Sequence, residues 1–242
     1  MTDEIFNDTG VFPLPNGSTV ENYSKTAYGS IGIPRGFAVS SNFVFCSLGQ
    51  RIGEKAIKNI ASRFLVDQNI PFDIPVERST LSYQSMSASD TSLVAIGQGK
   101  LLITPIHAAL IGAAIANNGV IMKPTLVDKV TNTGGFIVSE ARPQELAVPV
   151  SKDTAEYVKE LMLMSVKDGT SSGAAISGVK VAGKTGTAEN ERPGYDHAWF
   201  VGFAPADEPQ IVVCVLLEYS GGTGGGKAAP IAGRIMRRYL EK

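Results

Sequence analysis

Apolar residues recur three and four apart over much of the chain, then switch to alternation after Val179. The first pattern predicts helices and the second strands. Met1–Tyr28 is rich in Asn, Gly, Pro, Ser and Thr and reads as an irregular segment with short extended pieces. Gly36–Gln50 carries Phe37, Ala38, Val39, Phe43, Val44, Phe45 and Leu48, interrupted by Ser40, Ser41 and Asn42. That predicts helices that break and restart around a polar turn. Glu54–Phe64 follows as an amphipathic helix with Ala56, Ile57, Ile60, Ala61 and Phe64 on one face. Leu65–Ser92, with Pro71, Pro75 and a serine-rich run from Ser79, reads as loop.

Thr104-Pro105 is a helix start, with the hydroxyl as N-cap and the proline at the first helical position. The helix Pro105–Asn118 is apolar nearly all round, which predicts full burial, and Asn117-Asn118-Gly119 ends it. Val120–Val150 reads as short strands and turns with a hairpin tip at Gly134-Gly135. Ser151 caps a helix to Val166 whose inward residues are Ala155, Val158, Leu161, Met162 and Val166. After a Gly/Ser loop come three strand-like runs, Val179–Ala188, Asp196–Pro205 and Gln210–Tyr219, joined too closely for crossover helices. They predict an antiparallel meander. Lys227–Leu240 closes the chain as a helix burying Ile231, Ile235, Met236 and Leu240. Helices first and strands later make the class α+β.

Composition narrows the function. At 242 residues, 43% apolar and 19% charged, the chain suits one large globular domain or two small ones. Lys plus Arg number 22 against 23 Asp plus Glu, so no basic surface for nucleic acid is expected. The longest apolar stretch, Ile106–Ala116, is short of the ~20 residues of a spanning helix. Met1–Glu4 is polar and unlike a signal peptide; if the protein works outside the cytoplasm, its addressing segment lies elsewhere. Cys46, Cys214, His107 and His197 are scattered without metal-ligand spacing, so no metal or other cofactor is expected and both thiols read as buried small hydrophobes.

Two short stretches carry candidate chemistry. Val181–Glu189 sets Lys184, Thr185 and Thr187 among glycines on a predicted edge strand. Such an edge can pair with an extended peptide, while the ammonium attracts a carboxylate or holds a proton. Ser40-Ser41-Asn42, at the helix break, can present a hydroxyl and an amide to one space, or simply cap a helix.

Taken together, Ser-x-Asn followed late in the chain by Lys-Thr-Gly resembles the transpeptidase domain of the penicillin-binding proteins. The same resemblance extends over Gly29–Asn42, Ile96-Gly97-Gln98-Gly99 with Thr104-Pro105, Val181–Glu189, His197–Pro205 and Ala228-Ala229-Pro230, in the family's order. With no glycosyltransferase-like region, it is closest to the class B, monofunctional type. The resemblance implies an antiparallel sheet between helices, with the site beside the Lys-Thr-Gly strand. It implies D,D-transpeptidation of peptidoglycan stem peptides through a serine ester, with β-lactams acylating the same serine. By motif, Ser40 would relay protons, Asn42 would hold the substrate's peptide group and Lys184 would complete the network around Ser40. Thr185 and Gly186 would belong to the substrate wall, with the Thr187 hydroxyl binding the terminal carboxylate and its N–H serving the oxyanion. The resemblance also implies work at the extracytoplasmic face of the bacterial membrane, anchored by a segment not in this chain, with other cell-wall synthesis proteins as further partners.

The family's third motif, the Ser-x-x-Lys of the nucleophile, does not occur before Ser40. The one match, Ser177-Gly178-Val179-Lys180, leads into a strand, where residues three apart point to opposite faces, and is read as coincidence. Residues 1–242 are therefore expected to be the C-terminal portion of one transpeptidase domain, incomplete at its N-terminal side. They should have an open sheet edge, depend on the upstream remainder of the same protein, and be inactive alone. Two rivals remain at this point: a non-catalytic penicillin-binding-like module, and a nucleotide binder. Gly221–Ala228 nearly fits a P-loop, but Ala228 stands where a magnesium-binding hydroxyl belongs.

Overall fold

The structure, a computed structural model, describes residues 4–190 and 194–242. Met1–Asp3 of the irregular opening segment and residues 191–193 lie outside the described residues.

Two short ladders open the chain: β1 (Ile5–Asp8) returns to β4 (Gly29–Gly32), and between them β2 (Val11–Pro13) pairs with β3 (Thr19–Glu21). The expected broken helix follows as α1 (Ile33–Ala38) and α2 (Asn42–Arg63), with the break at Val39–Ser41. Inside α2, Gly53 at φ 72° interrupts the helix just before the predicted Glu54 start. Of its predicted face, Ile57 is buried and Ile60, Ala61 and Phe64 are half-buried, but Ala56 is exposed.

β5 (Thr80–Leu81) pairs with β6 (Leu101–Leu102) and encloses α3 (Ala88–Ala95). This helix corrects the reading of Ser79–Ser92 as loop. Ser87 and Asp90 form a reciprocal capping box, and the Ser92 hydroxyl donates to the Cys46 carbonyl at 3.2 Å. Hydroxyls that suggest a loop are thus satisfied inside a helix pair. Gly49 lets α2 and α3 touch, since a Cβ there would sit 2.6 Å from that of Ala95.

α4 (Pro105–Ala116) is capped by Thr104 as expected. It is not fully buried: His107, Leu110, Gly112, Ala114 and Ile115 are, while Ala108, Ala109 and Ile111 are half-covered. Beyond it lie β7 (Ile121–Met122), the exposed hairpin β8 (Lys129–Thr131) and β9 (Ile137–Glu140), and β10 (Glu145–Ala147), which pairs with β7. Gly135, at φ 80°, makes the predicted hairpin tip. α5 (Lys152–Asp168) has the Ser151 cap.

The meander forms as β11 (Ala182–Ala188), β12 (His197–Ala204) and β13 (Ile211–Leu217), antiparallel and in that spatial order. Alternation along β12 splits the core. Ala198 and Phe200 join Val213, Val215 and Met236 of α6 (Ala228–Leu240) on one face. Phe203 joins Ile115 of α4 and Ala155 and Met162 of α5 on the other. The sheet thus lies between helices, as expected of an α+β fold. On α6, Met236 is buried but Ile235 is 45% exposed, against expectation; the packed stripe is made of Ala228, Ala229, Ala232 and Gly233. Among the described residues β13 pairs only with β12. An open groove of about 740 Å³ lies beside it, lined by Pro105, Cys214, Leu216 and Lys227 among others. Both cysteines are free; Cys46 is buried as expected and Cys214 only half-buried.

Candidate active site

The site begins with the way α1 ends. The Ser40 N–H donates to the Phe37 carbonyl at 3.1 Å and the Ser41 N–H to the Gly36 carbonyl at 2.8 Å. That pair of bonds is a Schellman termination, with Ser40 at the left-handed position, φ 57°, where glycine is the usual residue. A serine here accepts a strained backbone and gains a hydroxyl pointing off the helix end. Ser41 is both the end of this turn and the N-cap of α2, its Oγ accepting from the Val44 N–H at 3.1 Å. Asn42 opens α2, and its Nδ2 donates to the Glu21 carbonyl at 2.7 Å.

The other wall is β11, which pairs only with β12 among the described residues and so presents its second edge. Lys184 Nζ donates to Ser40 Oγ at 2.8 Å and to the Thr185 carbonyl at 2.9 Å, and it lies over the Phe37 ring at 5.7 Å. Burial disfavours its charged form and pulls its pKa down from 10.5 to about 8. A lysine so placed can hold a proton near neutrality and release it at modest cost. Thr185 turns inward and shares a 2.7 Å hydrogen bond with the Thr170 hydroxyl. Thr187, further along, is exposed, and its Oγ1 accepts from the Gly224 N–H at 3.2 Å. Gly224 must lack a side chain because a Cβ there would run into the carbonyls of Gly186 and Trp199.

The structure therefore brings Ser40 and Lys184 into direct contact and sets Asn42 two residues from Ser40, while Thr185 is buried and Thr187, two residues on, is exposed. Thr170 was not singled out by sequence. Its N–H donates to the Ala38 carbonyl at 3.0 Å while its hydroxyl meets Thr185, so one residue ties the Ser40 turn to the Lys184 strand. Its only signal was a Gly-Thr pair in a Gly/Ser loop. His197 Nδ1 accepts from the Tyr219 N–H at 3.0 Å, a contact that joins the start of β12 to the turn just after β13. Gln98 lies in the loop between α3 and β6. The P-loop-like Gly221–Lys227 follows an antiparallel strand and packs on Thr187, unlike a phosphate loop opening a parallel sheet. Among the described residues no group of three His, Cys, Asp or Glu is placed to hold a metal ion.

Comparison with known proteins is consistent across sequence and structure. Residues 1–237 match the family model described as penicillin binding protein transpeptidase domain. The peptidoglycan D,D-transpeptidase PbpA of Mycolicibacterium smegmatis is 34% identical over 231 residues, 90% of this chain and 47% of the relative. Stage V sporulation protein D of Bacillus subtilis is 31% identical over 83% of this chain and 33% of its own length. Penicillin-binding protein A of M. tuberculosis, solved as a ceftriaxone acyl-enzyme complex, superposes with a TM-score of 0.93 at 31% identity, covering 99% of this chain and 56% of that one. The D,D-transpeptidase domain from Eggerthella lenta superposes at 0.89 with 34% identity, covering 99% and 60%. The chain spans about half the length of the first curated relatives it matches.

Proposed function

The chain belongs to the penicillin-binding protein transpeptidase family, and we propose that its site serves peptidoglycan D,D-transpeptidation through a serine ester that β-lactams also form. The observation that carries this reading is the 2.8 Å hydrogen bond from Lys184 on β11 to Ser40 in the α1–α2 turn. The substrate would be a stem peptide ending in D-Ala-D-Ala, laid along the free edge of β11 as an added strand. The Thr187 hydroxyl and the Lys184 ammonium would attract its terminal carboxylate, and the Thr187 N–H would face the oxyanion. A donor fixed where charge develops is worth roughly 3 kcal/mol of barrier. Ser40, held by Lys184, would pass a proton between the attacking serine and the leaving amine, and Asn42 would orient the peptide group.

The nucleophile itself we assign to chain outside these 242 residues. No Ser-x-x-Lys precedes Ser40 in these residues, and the relatives are about twice as long. By the same reading the whole protein works on the cell wall outside the membrane, held there by a segment not described here. The helices described contain none long and apolar enough to cross a membrane.

The test is intact-mass spectrometry with a labelled penicillin. The whole protein should gain one covalent adduct, Lys184→Met should lose most of its rate, and residues 1–242 alone should gain none. An adduct on residues 1–242 alone would overturn the assignment of the nucleophile. No adduct on the whole protein would overturn the transpeptidase reading.

A further inference from the structure

A carboxylate is buried directly beneath the Ser40 turn. Asp8, at the end of β1, is 1% exposed. Its Oδ1 accepts from the Gly10 N–H at 2.8 Å, and both its oxygens accept from Asn22 Nδ2 at 2.9 Å. Its Oδ2 also accepts from the Ser41 hydroxyl at 2.6 Å. No lysine or arginine forms an ion pair with it among the described residues. A buried charge without a counter-ion is a costly feature, and one balanced only by aimed donors fixes their directions.

What it fixes is the pivot of the site. Ser41 ends the α1 turn that holds Ser40 in its left-handed conformation and also caps α2 at Asn42. A hydroxyl has one proton. Because Asp8 takes it, the lone pairs of Ser41 Oγ are left for the Val44 N–H. Asn22 acts in parallel: its Nδ2 also donates to the Thr26 carbonyl, and its Oδ1 accepts from the Phe43 N–H at 3.2 Å. Two of the unpaired N–H groups that open α2 are therefore satisfied by one network centred on Asp8, at the end of the helix where negative charge is favoured.

We propose that Asp8 is a positioning residue for the transpeptidase site, setting the direction of the Ser40 hydroxyl toward Lys184 through its grip on Ser41. This rests on the function proposed above. The Asp8 hydrogen bonds go to Gly10, Asn22 and Ser41 rather than to Ser40 or Lys184, so its effect passes through the angle of the turn. Losing it leaves Ser41 free to rotate, Gly10 and Asn22 short of an acceptor, and the strained Ser40 backbone free to relax.

The experiment measures acylation of the whole protein by a labelled penicillin, separating the limiting rate from the half-saturating concentration, per folded molecule. Asp8→Ala should lower the limiting rate about tenfold or more and leave half-saturation within about twofold. Ser41→Ala, which deletes only the gripped hydroxyl, should give a similar fall, and the double variant should be little worse than either single one. Met236→Ala serves as the control: it loosens the far face of the sheet and should lower stability with the limiting rate per folded molecule unchanged. Where Asp8→Ala does not fold, Ser41→Ala and Asp8→Asn carry the test. A wild-type rate in the Asp8 and Ser41 variants, with the wild type itself acylating, would overturn this proposal alone. A matching loss in Met236→Ala would reduce Asp8 to general stability and overturn it equally. A wild-type protein that forms no adduct would overturn the functional reading and this inference with it.

Discussion

Lys184→Met isolates the electrostatic state of the site. Methionine keeps the length and apolar stem of lysine and removes the titrating group. In the folded protein burial holds the Lys184 pKa near 8, against 10.5 for the ordinary side chain. Between these values the unfolded chain is protonated and the folded one is not, so the unfolded state binds more protons and stability rises with pH. Below pH 8 the full cost of the buried ammonium is present; above 10.5 it is gone. The gap of 2.5 units (10.5 less 8) corresponds to about 3 kcal/mol in total. Integrated between pH 7 and pH 9, wild type should gain about 1 kcal/mol relative to Lys184→Met. Urea denaturation of both proteins at the two pH values measures this, and other titrating groups cancel in the difference. Parallel profiles, agreeing within a few tenths of a kcal/mol, would mean that Lys184 keeps an ordinary pKa. The poised proton holder beside Ser40 would then have no basis.

Three further outcomes follow from the packing. Ser40→Gly keeps the left-handed turn and relieves its strain but takes an acceptor from Lys184, so the two effects should offset and leave stability within about 1 kcal/mol in denaturation while reaction of the whole protein with labelled penicillin falls sharply. Gly183→Ala would place a Cβ 2.5 Å from Cζ of the buried Phe200, and should cost about 1–3 kcal/mol, read as a lower Tm by calorimetry. Ser87→Ala removes the capping box of α3 and should cost about 1 kcal/mol, with faster amide exchange confined to that helix.

The sequence by itself determined whatever is set within one turn or one strand. The Thr104 and Ser151 caps, the Gly135 hairpin tip, the helix break at Ser40 and the three alternating runs of the meander are local hydrogen-bonding or local alternation. They could be read without knowing what lies opposite. The motif residues were legible for the same reason, since hydroxyl, amide and lysine occur in short fixed spacings. Periodicity, however, says which side of an element is apolar and not what covers it. Ala56 and Ile235 looked inward on that ground and are exposed. α3 was hidden because its serine and threonine hydroxyls are spent on partners such as the Cys46 carbonyl, 46 residues away. The family resemblance implied that Lys184 meets Ser40, but only the tertiary structure supplied the contact across 144 residues, and the 33-residue gap by which Asp8 reaches Ser41 had no sign in the sequence. Contacts of that range are fixed by how whole layers pack, and no local pattern encodes which buried donor will meet which acceptor.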